Sequence, residues 1–324
     1  MINEVVHSLL AAPNAGMVGG YPRGMAEIFE GIPSSVSEDM DEGVKRTSNE
    51  DEVREACWTL NPDSTPGPDG FPGSFYRQNW DIVKGDLVRV VHDFFQGGDL
   101  PRIACASKTV LLPKVCNPQS IDQYRPISMC NIPYKILASI LNKRLAIHLD
   151  AWMNSEQHGF IKGRLMQGAI GMVHEMVSGI NNKSFRGNLV VKLDMSKAYD
   201  RLEWGFVLRV SASMGFSNWT RDLLFHCFRS VWISTTFMGK QFGLFKACRG
   251  LRQGDPLSPN LFIISQNALS CYINQGLNTG KIRPYHNKNG KRSITYIIFS
   301  DDTIKYINGS RRSVQGLNEI LEEY

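Results

Sequence analysis

The chain has 324 residues, 42% of them hydrophobic, with 16 Phe, 10 Tyr and 6 Trp, which excludes a disordered polymer and leaves room for more than one lobe. No apolar run approaches the ~18 residues of a membrane span, and no basic segment followed by an apolar one marks a secretion signal. The seven cysteines form no Cys-x-x-Cys pair and have no His at zinc-finger spacing, so they read as reduced thiols of an intracellular protein.

Residues 1–48, rich in Gly, Pro, Ser and acids, carry little periodicity and read as an irregular lead-in. A short helix is expected over 49–60, then a loop where Asn61-Pro-Asp-Ser-Thr-Pro-Gly-Pro-Asp-Gly70 accumulates turn formers. Trp80, Val83, Leu87, Val90, Val91 and Phe94 recur at helical spacing up to Gly97-Gly98. Thr109–Lys114 reads as a strand, followed by a loop to Tyr124-Arg-Pro-Ile-Ser128. A helix from about Tyr134 to Trp152 follows, with Lys143 and Arg144 off its apolar face, and another over Met166–Ile180. Between Pro101 and His148 lie Arg102, Lys108, Lys114, Arg125, Lys135, Lys143 and Arg144 against one acid, Asp122. Such a stripe permits a polyanion partner without requiring one.

Asn188–Asp194 alternates as a strand, with Leu189, Val191 and Leu193 on one side and Lys192 and Asp194 on the other. Helices are expected near 205–213 and 219–230, then a hairpin of Trp232–Met238 and Gln241–Cys248 turning at Gly239-Lys240. Arg249-Gly-Leu-Arg-Gln-Gly-Asp-Pro-Leu-Ser-Pro259 allows close backbone approach to a ligand and runs into a helix over 261–272. Finally, Ser293–Ile307 reads as two strands about Ser300-Asp301-Asp302. Most adjacent aspartates are solvated turn acids. If these share a site with a third carboxylate, repulsion of about 4 kcal/mol per pair (~4 Å, effective dielectric ~20) favours a divalent cation, with oxygen ligands suited to Mg²⁺ or Mn²⁺.

Leu193-Asp-Met-Ser-Lys-Ala-Tyr-Asp200, Gly250-Leu-Arg-Gln-Gly-Asp-Pro-Leu-Ser-Pro259 and Phe299-Ser-Asp-Asp302, in that order, resemble the palm of reverse transcriptases, closest to plant LINE-type (non-LTR) retrotransposons. Thr65-Pro-Gly-Pro-Asp-Gly-Phe71, Leu111-Leu-Pro-Lys-Val115, Tyr124-Arg-Pro-Ile-Ser128, and Ser155-Glu-Gln157 with Gly163-Arg164 support the likeness, which covers roughly residues 32–324. Ser300 replaces the usual Ala, and Asn260 an aromatic.

The resemblance implies an α/β (α+β) right-hand polymerase: fingers over 49–187, and a palm over 188–324 with a small antiparallel sheet backed by helices. The thumb and endonuclease regions are expected elsewhere in a longer polyprotein. It implies RNA-directed DNA synthesis with dNTPs, an RNA template, a DNA primer and two Mg²⁺ (or Mn²⁺) ions. Asp194, Asp301 and Asp302 are the implied catalytic and metal carboxylates. Tyr199 falls where the family closes off the sugar 2′ position, although it also reads as a core aromatic. Gln253 and Gly254 are expected to contact the incoming nucleotide and template, and Lys114 and Arg125 the triphosphate. Alternatives are an idle remnant that only binds RNA or RNA–DNA hybrid, and an intron-encoded or telomerase-like polymerase, against which the wording of Gly250–Pro259 argues.

Overall fold

In the computed structural model, residues 25–181, 186–237, 239–286 and 294–324 are described. Two helices, α1 (Met25–Glu30) and α2 (Glu38–Lys45), occupy part of what reads as an irregular lead-in, which corrects that reading over 25–48; residues 1–24 lie outside the described set. The ends of helix α2 are marked by capping and charge. Ser37 caps it by accepting from Met40 N at 3.3 Å, Glu38, Asp39 and Asp41 fill its first turn, and Lys45 lies in its last.

The chain continues through α3 (Glu50–Thr59), α4 (Gly73–Gln78) and α5 (Trp80–Phe95) to strands β1 (Ala106–Pro113) and β2 (Tyr124–Cys130). Helices α6 (Ile132–Ala146), α7 (Leu149–Trp152) and α8 (Met166–Ser178) follow, then β3 (Asn188–Asp194) and α9 (Ala198–Arg201). Helices α10 (Trp204–Met214) and α11 (Asn218–Arg229) lead to β4 (Trp232–Phe237) and β5 (Lys240–Lys246), with Met238 of the expected hairpin outside the described residues. The remaining elements are α12 (Ser258–Asn278), β6 (Tyr296–Phe299), β7 (Asp302–Asn308) and α13 (Arg311–Glu323); Ser293 also lies outside the described set.

One sheet has the order β2-β1-β4-β5, with β1 and β4 parallel and both outer pairs antiparallel. Tyr124–Ser128, read as the end of a loop, is part of β2; Pro126 is tolerated because β2 is an edge strand. This sheet unites strands from both sides of position 187, so the division drawn there cuts through it. The other sheet, β3-β7-β6, is antiparallel. Leu189 and Val191 pack into the main core on one of its faces, while Val190, Ile304 and Tyr306 meet Ala169 and Met176 of α8 on the other.

Helix α12 runs through the main core, with Ile263, Ile264, Ala268 and Leu269 fully buried. A large aliphatic side chain buried in this way stabilises the fold by about 1.5–3 kcal/mol. Among the described residues, no helix is long and apolar enough to cross a membrane.

Part of the basic stripe is used internally. Arg144 is 5% exposed, grips Glu52 at 2.7 and 2.9 Å, and donates to Val44 O (2.9 Å), Arg46 O and Ser48 Oγ (2.8 Å). Lys143 pairs with Glu55 at 2.6 Å. Arg144 therefore ties α6 to the N-terminal helices and is unavailable to a polyanion.

Candidate active site

The register of β3 against β7 sets the site. Asp194 lies directly opposite Asp302, so the two carboxylates leave the same face, their Cβ atoms about 4.5–5.5 Å apart as in any directly opposed pair. Phe299 pairs with Asp302, which makes Ser300 and Asp301 the two-residue turn of the β6–β7 hairpin. Although 107 positions apart in sequence (301 − 194), Asp194 and Asp301 line one cleft of about 810 Å³. Lys114, Arg125, Tyr199, Gln253 and Gly254 line it too, so seven of the eight expected site residues converge.

Asp302, the eighth, holds Lys192 Nζ at 2.9 Å. That hydrogen-bonded pair, helped by Asp194 and Asp301, keeps the Lys192 ammonium above its ordinary pKa. The acids thus draw a cation among them, and their oxygens are the donor type a hard divalent ion takes. They fit such an ion chemically, although among the described residues no three His, Cys, Asp or Glu side chains are close enough together to hold one as they stand.

Three of the four described non-glycine residues with positive φ, Phe160 (58°), Lys197 (54°) and Ser300 (57°), line this cleft. Each costs on the order of 1 kcal/mol or more, and such strain gathers where surrounding structure imposes it for function. Gly159 shows one means of imposing it: a Cβ there would stand 2.5 Å from Ser300 N, so only glycine lets the 155–164 loop seat against the hairpin turn. The loop is fixed by His158 N donating to Ile298 O (2.9 Å) and by Arg164, which donates to Asp150 and to the carbonyls of Met153, Asn154 and Gln157. Phe160, 53% exposed, is thereby presented to the cleft.

Tyr199 packs as a core aromatic and also borders the cleft. Its ring stacks on Phe262 of α12 (centroids 4.6 Å apart, 17° between planes). Burial and the nearby Asp301 charge push its phenol up to about 12. Gly254 has φ 103°, and a Cβ on it would meet Ser128 O at 2.6 Å; Ser128 N in turn donates to Gln253 O at 2.8 Å. The glycine-rich loop is thus pressed onto β2. Beneath it Asp255, 4% exposed, pairs with Arg252 and accepts from Tyr134 Oη (2.8 Å) and Leu257 N (3.0 Å), the pairing a buried charge needs.

Asp122, Lys197 and Arg201 also line the cleft and were assigned no role from sequence. Lys197 lies in the Leu193–Asp200 motif, and Asp122 is the one acid of the basic stripe, so a weak signal existed for both.

The cleft therefore joins carboxylates from a strand end and a hairpin turn with a glycine-rich loop and basic residues, the arrangement expected of a nucleotide polymerase palm. Residues 113–324 match the family described as reverse transcriptase (RNA-dependent DNA polymerase), and the chain belongs to that family. It is 24% identical over 87% of its length to the "Transposon TX1 uncharacterized 149 kDa protein" of Xenopus laevis. It is also 28% identical over 73% of its length to the Pol polyprotein from retrotransposable element R2DM of Drosophila melanogaster, and 25% identical over 80% to that from element R2 of Nasonia vitripennis. These bear out the expected kinship with non-LTR retrotransposon proteins. The chain spans 21%, 22% and 24% of the lengths of these three relatives. Reverse transcriptases as a family use divalent metal ions.

Proposed function

We propose that the cleft is the centre of an RNA-directed DNA polymerase that adds dNTPs to a DNA primer paired with an RNA template. The observation that carries this reading is that Asp194, from a strand end, and Asp301, from a hairpin turn, line one cleft. Asp194, Asp301 and Asp302 would hold two Mg²⁺ (or Mn²⁺), Asp302 on releasing Lys192. When bound, such ions lower the pKa of an attacking hydroxyl and stabilise a leaving pyrophosphate. Lys114 and Arg125 grip the triphosphate; a fixed guanidinium fork beside a point-charge ammonium suits phosphate oxygens. Gln253 and Gly254 bound the nucleotide and template side, Gly254 lacking the Cβ that would hold the loop off β2. The fingers comprise 49–187 together with β4 and β5, which complete their sheet, and the palm the rest of 188–324.

The test is dTMP addition to oligo(dT) on poly(rA), with Mg²⁺ and with EDTA. Metal-dependent extension supports the reading; extension in EDTA, or none with either, rejects it. The Asp302–Lys192 pair favours one competitor, an idle remnant that only binds RNA or hybrid. That competitor requires primed RNA to bind, ever more weakly as salt rises, with no dTMP added.

For Tyr199, trimming to Ala should raise rNTP use relative to dNTP by about tenfold or more, since a pocket that rejects one hydroxyl does so by shape. The check is the rNTP:dNTP incorporation ratio at fixed Mg²⁺. An unchanged ratio in an active variant would leave Tyr199 as a core aromatic stacked on Phe262.

A further inference from the structure

Asp122 sits on a 3₁₀ turn (Ile121–Gln123) between β1 and β2 and reaches across the cleft to the opposite sheet's connection. Its carboxylate is hydrogen-bonded to Lys197 Nζ, while its backbone carbonyl accepts from Lys114 Nζ at 3.1 Å. One residue thus occupies two of the cleft's cations. Lys197, first, and then Lys114 and Arg201 hold the Asp122 carboxyl below its ordinary pKa, so it stays charged. Lys197 is itself held in a left-handed backbone conformation, with its side chain only 26% exposed, whereas the Asp122 side chain is 64% exposed. The lysine is therefore fixed in the wall, and the acid is the movable partner. A pair so open to water is weakly held, so a ligand with several negative charges can displace it.

We propose that Asp122 is a built-in stand-in for nucleotide phosphate, one that keeps Lys197 oriented before a nucleotide binds and must be displaced by the incoming triphosphate. The proposal rests on the polymerase reading and adds two things to it. Lys197 becomes a third phosphate-binding cation beside Lys114 and Arg125, and Asp122 becomes a residue that sets nucleotide affinity. Neither acts on the reacting atoms.

The test is equilibrium binding of dTTP with Mg²⁺ to the chain on poly(rA) primed with a 3′-dideoxy oligo(dT), where no chemistry can follow, repeated with inorganic tripolyphosphate. Asp122→Asn should tighten both ligands about two- to fivefold, the range an exposed ion pair carries. Lys197→Met should weaken both about tenfold or more, as loss of a charge-assisted contact does. In the Lys197→Met background, Asp122→Asn should have no effect, because the acid then has no lysine to release. Asp122→Ser serves as a second variant, and a thermal melt of each establishes that it is folded.

Unchanged or weaker binding by the folded Asp122 variants would overturn the proposal. An undiminished gain in the Lys197→Met background would do the same, since that indicates bulk charge repulsion. So would a gain for dTTP absent with tripolyphosphate. Failure of the wild-type chain to bind dTTP at all would instead bring down the polymerase reading itself.

Discussion

Replacing either Asp194 or Asp301 with Asn is expected to slow nucleotide addition by at least about a thousandfold while leaving the fold unchanged. Both carboxylates are exposed at the cleft wall, so their removal leaves no cavity and no orphaned buried partner, and surface changes of this kind stay within about 0.5 kcal/mol. The loss falls on the transition state instead. Metal-assisted stabilisation of developing charge contributes several kcal/mol, and about 4 kcal/mol corresponds to three decades in rate. Single-turnover extension rates paired with thermal melts separate the two quantities. A loss below about tenfold with an unchanged melt would mean that the acid is only a solvated turn residue.

Lys305→Met should stabilise the protein at neutral pH and remove a pH dependence that the wild type carries. Lys305 lies on β7 between Val191 of β3 and Tyr296 of β6, on the face turned to the main core, and is 0% exposed. Its Nζ has no hydrogen-bond partner; the nearest compensation is the Tyr296 ring, 4.4 Å away at the centroid. Burial pushes its pKa from 10.5 down to about 7. Between those values the unfolded chain holds a proton that the folded chain has released, so stability rises with pH from about 7 to 10.5 and levels off below 7. At about 1.4 kcal/mol per pH unit the span amounts to about 5 kcal/mol. Met is of similar length and carries no charge to desolvate, so Lys305→Met should melt several degrees higher at pH 7. Its stability should then stay flat between pH 7 and 9, where the wild type's rises. Denaturant melts at pH 7, 8 and 9 provide the check, and a wild-type curve flat over that range would contradict the assignment.

Lys305 also marks where sequence reasoning stops. The run Thr303–Ile307 reads correctly as a strand, yet alternation places Lys305 on the core side, a position that side-chain chemistry disfavours and only the register reveals. The strand Asn188–Asp194 was legible to the residue because its alternation ends on a turn, and α8 was legible because its apolar residues keep helical spacing. By contrast, α1 and α2 are short and lie in Gly- and Pro-rich acidic sequence, and for α2 the Ser37 cap and the charges at its ends carry the signal. Strand β2 was hidden by Pro126, whose tolerance depends on an edge position that only the sheet order supplies. In the site, the acids and the glycine-rich loop could be assigned from the order of motifs. The roles of Lys192, Lys197 and Asp122 could not, because each depends on a partner brought near by tertiary structure.

The most direct test of whether Asp194 and Asp301 form one metal site is cleavage of the protein backbone by hydroxyl radicals from Fe²⁺ in place of Mg²⁺, with the chain on primed poly(rA) and dTTP present. The site described here predicts two clusters of cuts, one around residue 194 and one around 301. Both should disappear together on excess Mg²⁺ and in Asp194→Asn. Cuts at one position alone, or at neither, would contradict it.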